Sequence, residues 1–171
     1  MKNDDGLTLI EALLALSILT LAIAFAMPNG IALFARERAI ADANLLHSAL
    51  QRTRFYAITT GIPTSIQAID NNWSNGWRIF TDSDLSPDSP KQLIAQQSLL
   101  GSQIESTQTL RDKVHFLPNG QAILPSGGFQ AGTFSVCEKG FKRSHNLIIN
   151  RVGRVRRVTM AQNPKCSIKA S

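Results

Sequence analysis

Four arginines, Arg151, Arg154, Arg156 and Arg157, stand within seven residues near the C-terminal end of the 171-residue chain, in the string R-V-G-R-V-R-R. A guanidinium is planar, permanently charged and able to hold a phosphate through two parallel hydrogen bonds, so a cluster of this kind is suited to phosphate chemistry. Leu147–Asn150 and Arg154–Thr159 read as the arms of a hairpin with Arg151–Gly153 at the turn, where Gly153 can take a positive φ. On such a strand Arg154 and Arg156 share one face about 6.5–7 Å apart, with Val155 turned to the core. That is of the order of the spacing of phosphates along a nucleic-acid strand, about 3.4 Å of axial advance per nucleotide. Arg157 breaks the alternation, and a bulge or a strand end there would turn it to the same side. Two other readings stay open: a charged strand that blunts a sheet edge, and a patch facing anionic headgroups.

The wider charge pattern favours an anionic partner. From Lys139 to the C-terminus there are nine Lys or Arg, Lys142 and Arg143 among them, and no Asp or Glu. The other 138 residues hold nine basic and all twelve acidic residues, so the net charge of +6 comes from this one segment. No aromatic residues interleave with the arginines to stack on bases, so a nucleic-acid contact made here would be sequence-independent. No catalytic set accompanies it. His47, His115 and His145 lack metal-ligand spacing. Asp82, Asp84 and Asp88 lie in a loop without the glycine and closing glutamate of a calcium-binding EF-hand. We expect no metal, no cofactor and no enzymatic activity.

The elements that position the arginines begin at the other end. Residues 7–27 carry one charge, Glu11, and at 1.5 Å per helical residue they match the roughly 30 Å hydrocarbon layer of a bilayer. A cleaved secretory signal would have a more basic start, a shorter apolar core and a small-residue cleavage site. The reading is therefore a retained membrane helix, in which Glu11 either snorkels to the interface or meets a cationic partner. From Ile31 the pattern becomes amphipathic, with Leu46, Ala49, Leu50, Thr53 and Ala57 at three- and four-residue steps and Arg36, Arg38, Arg52 and Arg54 on the polar side. Gly61 and Pro63 end it. Beyond Pro63 short apolar or alternating runs are separated by turn signals such as N-N-W-S-N-G, L-P-N-G and P-S-G-G. The fold class is α+β: a long N-terminal helix, one half in the membrane and one half packed on antiparallel sheet. A domain outside the inner membrane is in an oxidising compartment, which favours a bridge between Cys137 and Cys166, the only two cysteines, over two buried thiols. Such a bridge would enclose eight of the 18 Lys and Arg residues, the four clustered arginines among them.

The string G-L-T-L-I-E, Gly6 to Glu11, resembles the type IV prepilin signature. The resemblance implies cleavage between Gly6 and Leu7 by a prepilin peptidase, methylation of the new N-terminus, and pairing of Glu11 with a neighbouring N-terminus during fibre assembly. Leu7 departs from the phenylalanine most members carry there. Three further strings, W-S-N-G-W-R-I-F-T-D from Trp73 to Asp82, H-F-L-P-N-G from His115 to Gly120 and G-T-F-S-V-C from Gly132 to Cys137, together with G-R-V-R from Gly153 to Arg156, resemble the FimT-type minor pilins and the type II secretion pseudopilin H group. Members of the FimT type bind DNA for uptake through a C-terminal glycine-arginine-x-arginine motif, which Gly153, Arg154 and Arg156 match position for position.

The expected organisation is a prepilin leader over 1–6, a transmembrane and assembly helix over 7–28, an amphipathic helix over 29–61, and a periplasmic, later extracellular, β-rich head over 62–171. The expected function is that of a minor type IV pilin that binds double-stranded DNA for natural transformation, through Arg151, Arg154, Arg156, Arg157, Lys142 and Arg143. Its other partners are the remaining pilins of the fibre, the peptidase and the inner membrane before assembly. The rival is a structural minor pseudopilin that primes or tips the fibre of a type II secretion system.

Overall fold

The computed structural model describes residues 8–82, 91–99 and 101–166, with the side chains of 25–29 outside that description. A single helix, α1, runs from Leu9 to Thr60. Thr8 caps it: its Oγ1 accepts from the Glu11 backbone N–H at 3.3 Å, which places Glu11 in the first turn, where the helix dipole favours a carboxylate. Gly61 ends it at φ 70°, its N–H donating to the Ala57 carbonyl at 3.1 Å.

The chain divides into two compact units, 1–35 and 36–171. In the first, every leucine and isoleucine from Leu9 to Ile23 is exposed, from 80% at Leu9 to 49% at Ile23. Among the described residues no helix is long and apolar enough to cross a membrane. Gly6 and Leu7, the predicted processing site, lie outside the described residues.

In the second unit Ala39, Ala43, Leu46, Ala49, Leu50 and Ala57 are buried at three- and four-residue steps and face two antiparallel sheets. Small side chains predominate on this stripe, which lets strand side chains approach the helix backbone closely. One sheet has the order β3-β2-β1-β5-β6, built from β1 (Thr64–Ala68), β2 (Trp77–Thr81), β3 (Leu93–Gln97), β5 (Lys113–Phe116) and β6 (Ala122–Ile123). The other has the order β4-β7-β8-β9, from β4 (Gln103–Ser106), β7 (Gly132–Cys137), β8 (Ser144–Ile149) and β9 (Val155–Met160). Ile66, Val114 and Phe116 of the first sheet meet Phe134, Val136, Leu147, Ile149 and Val155 of the second in one core, with Trp73 edge-on to Phe134 at 4.8 Å. The Trp73 indole N–H is satisfied by the carbonyls of Leu110 and Arg111.

Candidate nucleic-acid interface

β8 and β9 pair without interruption from Ser144↔Met160 to Ile149↔Val155, and β9 is the edge strand of its sheet. The connection is built by Asn150. Its Oδ1 accepts from the backbone N–H groups of Val152 at 3.2 Å and Arg154 at 2.8 Å, while its carbonyl accepts from the Gly153 N–H at 2.9 Å. Gly153 then takes φ 73°, the left-handed conformation that lets a hairpin loop of this length close. The glycine is needed twice over, because a Cβ at 153 would run into the carbonyl oxygen of Gly120. That same carbonyl accepts from Arg54 Nε at 2.9 Å. The hairpin tip is therefore seated on the L-P-N-G turn, and that turn is held by the helix. Arg54, expected on the polar side of the helix, is half-buried because it performs this anchoring.

Val155 is 5% exposed and packs in the core, so Arg154 and Arg156 alternate outward, and both are exposed together with Arg151. Among the described residues none of these three arginines takes part in an ion pair. The result is an exposed edge with guanidiniums at the tip and along one strand face, spaced by about 6.5–7 Å on the strand.

One expectation needs correction. Arg157 does not join this face. The β8–β9 register has no bulge, so simple alternation places Arg157 on the same side as Val155, where it donates through Nη1 to Asn44 Oδ1 on α1. Lys142 and Arg143 stand away from the tip. They sit in the β7–β8 connection, at the opposite end of β8 from the 150–154 turn, and six strand residues put roughly 20 Å between the two groups.

Cys137 and Cys166 are bonded. The bridge closes the far end of the hairpin rather than its tip, because Cys137 pairs with Ser144, and the residues before Cys166 cover the outer sheet face there. Asn163 secures that cover, its backbone N–H donating to the Lys142 carbonyl at 2.7 Å and its Nδ2 to Ser144 Oγ at 2.9 Å.

A second polar cluster lies across the first sheet. Ser65 Oγ donates to Asp82 Oδ2 at 2.8 Å and lies 2.8 Å from His115 Nδ1, and Lys113 Nζ donates to the same carboxylate oxygen at 2.7 Å. Burial pushes the His115 ring down to about 4, with the Lys113 charge adding to the effect and Asp82 opposing it. Burial pushes the Asp82 carboxyl up, but the hydrogen bonds from Lys113 and Ser65 outweigh it and hold the group below its usual range. Serine and carboxylate both converge on one ring nitrogen, and Ser65, His115 and Asp82 are all buried, so the group reads as a buried polar cluster rather than a nucleophile with its base; Asp82 Oδ1 is left without a hydrogen-bond partner among the described residues. Asp82 is thereby occupied within the fold, while Asp84 and Asp88 lie outside the described residues.

Sequence reasoning missed Asn150, Gly120 and Arg54 as the supports of the tip. The available signal was the spacing N-x-x-G in Asn150–Gly153, which is that of an Asx-supported turn ending in a left-handed glycine.

Residues 42–153 match the family described as type II transport protein GspH, and residues 1–27 match the prokaryotic N-terminal methylation motif. The chain belongs to the GspH family. Its fold is similar to that of the type IV minor pilin FimU of Pseudomonas aeruginosa, at TM-score 0.56 and 23% identity over 69% of this chain and 90% of that one. It is also similar to the minor pseudopilin EpsH of the type 2 secretion system of Vibrio cholerae, at TM-score 0.52 and 17% identity over 71% and 96%. No curated protein matches the chain.

Proposed function

We propose that this chain is a minor type IV pilin that binds double-stranded DNA without sequence specificity, for uptake in natural transformation, through Arg151, Arg154 and Arg156 on the hairpin tip and its edge strand. One observation carries the reading: three exposed guanidiniums, free of ion pairs among the described residues, are presented by a turn whose conformation is fixed from behind by Gly120 and Arg54. A charged strand serving only to blunt an edge needs no such support. The resemblance of Gly153, Arg154 and Arg156 to the DNA-binding motif of FimT-type pilins supports the same reading.

The rest of the chain fits delivery to a fibre. In this reading the peptidase cuts after Gly6, Leu7 is methylated, and Glu11 pairs with a neighbouring N-terminus. The 7–28 segment, whose described leucines and isoleucines are all exposed, holds the protein in the inner membrane with its head in the periplasm before assembly with the other pilins. The second reading, a structural minor pseudopilin of a type II secretion system, is favoured by the GspH match and by the likeness to EpsH. The two separate on duplex binding by the full-length chain in detergent. A pilin of the first kind gives salt-sensitive retention of random duplex with a log–log slope of about −3, one per engaged phosphate. A pseudopilin gives no retention even at low salt.

A further inference from the structure

Arg157, removed from the DNA-facing side, belongs to a different arrangement. Three arginines from three separate elements, Arg36 of α1, Arg143 of the β7–β8 connection and Arg157 of β9, line one cleft of about 500 Å³ together with His145 and Thr159. Arg36, Ile40 and Asn44 follow one another at four-residue steps on one helix face. Ile40 lines the cleft, and Asn44 accepts from the Arg157 guanidinium and so orients it. Among the described residues none of the three arginines forms an ion pair.

Of the acids nearby, one stands behind the cleft wall and the others are directed away from it. Glu138 is 3% exposed and turned to His145, its Oε1 lying 3.3 Å from Nε2. Asp42 is buried and accepts from the Ser102 N–H. Glu37 follows Arg36 directly and points about 100° away around the helix. Burial holds the His145 ring below its usual value; Glu138 opposes this, and the nearby Arg157 and Arg36 charges add to it. Three like charges gathered on one cleft raise the energy of the empty fold, and an anion entering it removes that cost.

We propose that this cleft is a binding site for a phosphate-class oxyanion, gripped by Arg36, Arg143 and Arg157. A phosphate offers several acceptor oxygens to guanidinium forks, each fork engaging two at once, and carries the charge that more than one arginine requires. The Thr159 hydroxyl, 3.3 Å from His145 Nδ1, lines the same cleft as a neutral hydrogen-bonding group. The site runs from Arg143, before β8, to Arg157 opposite the middle of that strand, on the sheet face away from Arg154 and Arg156, and does not depend on the DNA reading.

The test is calorimetric titration of the full-length chain in non-ionic detergent with inorganic phosphate, at constant ionic strength. Saturable binding is expected, weakened about tenfold by Arg143→Gln or Arg36→Gln and lost in the double variant, since each removes a charge-assisted contact. Arg143→Lys, which keeps the charge without the fork, should fall between. Arg154→Gln/Arg156→Gln should bind phosphate as the parent does, whatever its effect on DNA. Flotation with phosphatidylglycerol against phosphatidylcholine vesicles then gives the source. Selective flotation lost with Arg36 and Arg143 means a lipid headgroup, and equal flotation beside saturable phosphate binding means a soluble phosphate. Absence of saturable binding by the parent, or binding unaltered in the Arg36/Arg143 double variant, would overturn the proposal. Acetate competing as well as phosphate would also overturn it, in favour of a carboxylate from a neighbouring chain.

Discussion

Gly153 and Gly120 meet backbone to backbone, the hairpin tip resting on the carbonyl that Arg54 holds from the helix. Two sequence motifs more than thirty residues apart, L-P-N-G and G-R-V-R, are thereby one piece of structure. The arginines inherit their placement from this contact.

Gly153→Ala should be costly because it combines a strained φ with a collision against main chain that cannot move aside. We expect a loss of about 1–3 kcal/mol, seen as a lower Tm, with weaker retention of duplex DNA because the tip shifts. An alanine variant as stable as the parent would mean that the turn does not sit as described.

The disulfide makes the opposite kind of prediction. Cys137→Ser/Cys166→Ser removes a link across 29 residues of chain, worth about 3–4 kcal/mol in the chain-entropy picture. Because the bridge fastens the far end of the hairpin, the folded variant should still bind DNA within about twofold of the parent. Binding here comes from phosphate contacts at the tip. Denaturant melts and filter binding on the same preparation check both halves.

Arg156 and Arg157 are neighbours in sequence with different duties. Arg156→Gln should weaken duplex binding and lower the salt slope by about one, whereas Arg157→Gln should leave the slope unchanged. Equal effects from the two substitutions would show that the edge strand presents both guanidiniums to DNA.

Stability should fall on mild acidification, and the sign follows from His115. Its folded value of about 4 lies below the ordinary 6.5, so between these values the unfolded chain binds the proton that the folded chain refuses. Stability is full above about pH 6.5 and declines towards pH 4, by about 3 kcal/mol if this one ring carries the effect. The lowered His145 acts in the same direction, and Asp82, also lowered, adds a further loss as pH falls below 3.8. Denaturant melts between pH 7 and 4.5 should show the decline. His115→Gln, which cannot take up the proton, should flatten it; a variant with the parent's slope would assign the dependence elsewhere.

Much of the fold was legible because its determinants are local. The three- and four-residue spacing of Leu46, Ala49, Leu50, Thr53 and Ala57 is the buried stripe of α1, and Gly61 ends the helix where expected. β4, Gln103–Ser106, carries little sequence signal because it is short and mostly polar, and only its pairing with β7 makes it a strand. β8 begins at Ser144, three residues before the apolar run, since Ser144, His145 and Asn146 are buried with polar partners that sequence cannot supply. The site divides in the same way. The outward alternation of Arg154 and Arg156 about Val155 follows from strand period alone. The fate of Arg157 depends on Asn44, more than a hundred residues upstream. The separation of Lys142 and Arg143 from the tip depends on the length of β8, which the polar start of that strand concealed.

The most direct test of the central claim is retention of random duplex DNA by the full-length chain and by Arg154→Gln/Arg156→Gln, in detergent, at two salt concentrations. The expected result is parent binding that weakens with salt at a slope of about −3, and a correctly folded double variant that has lost most of it. A double variant that binds as the parent does, or a parent that fails to bind at low salt, would contradict the assignment of the hairpin as a DNA-binding surface.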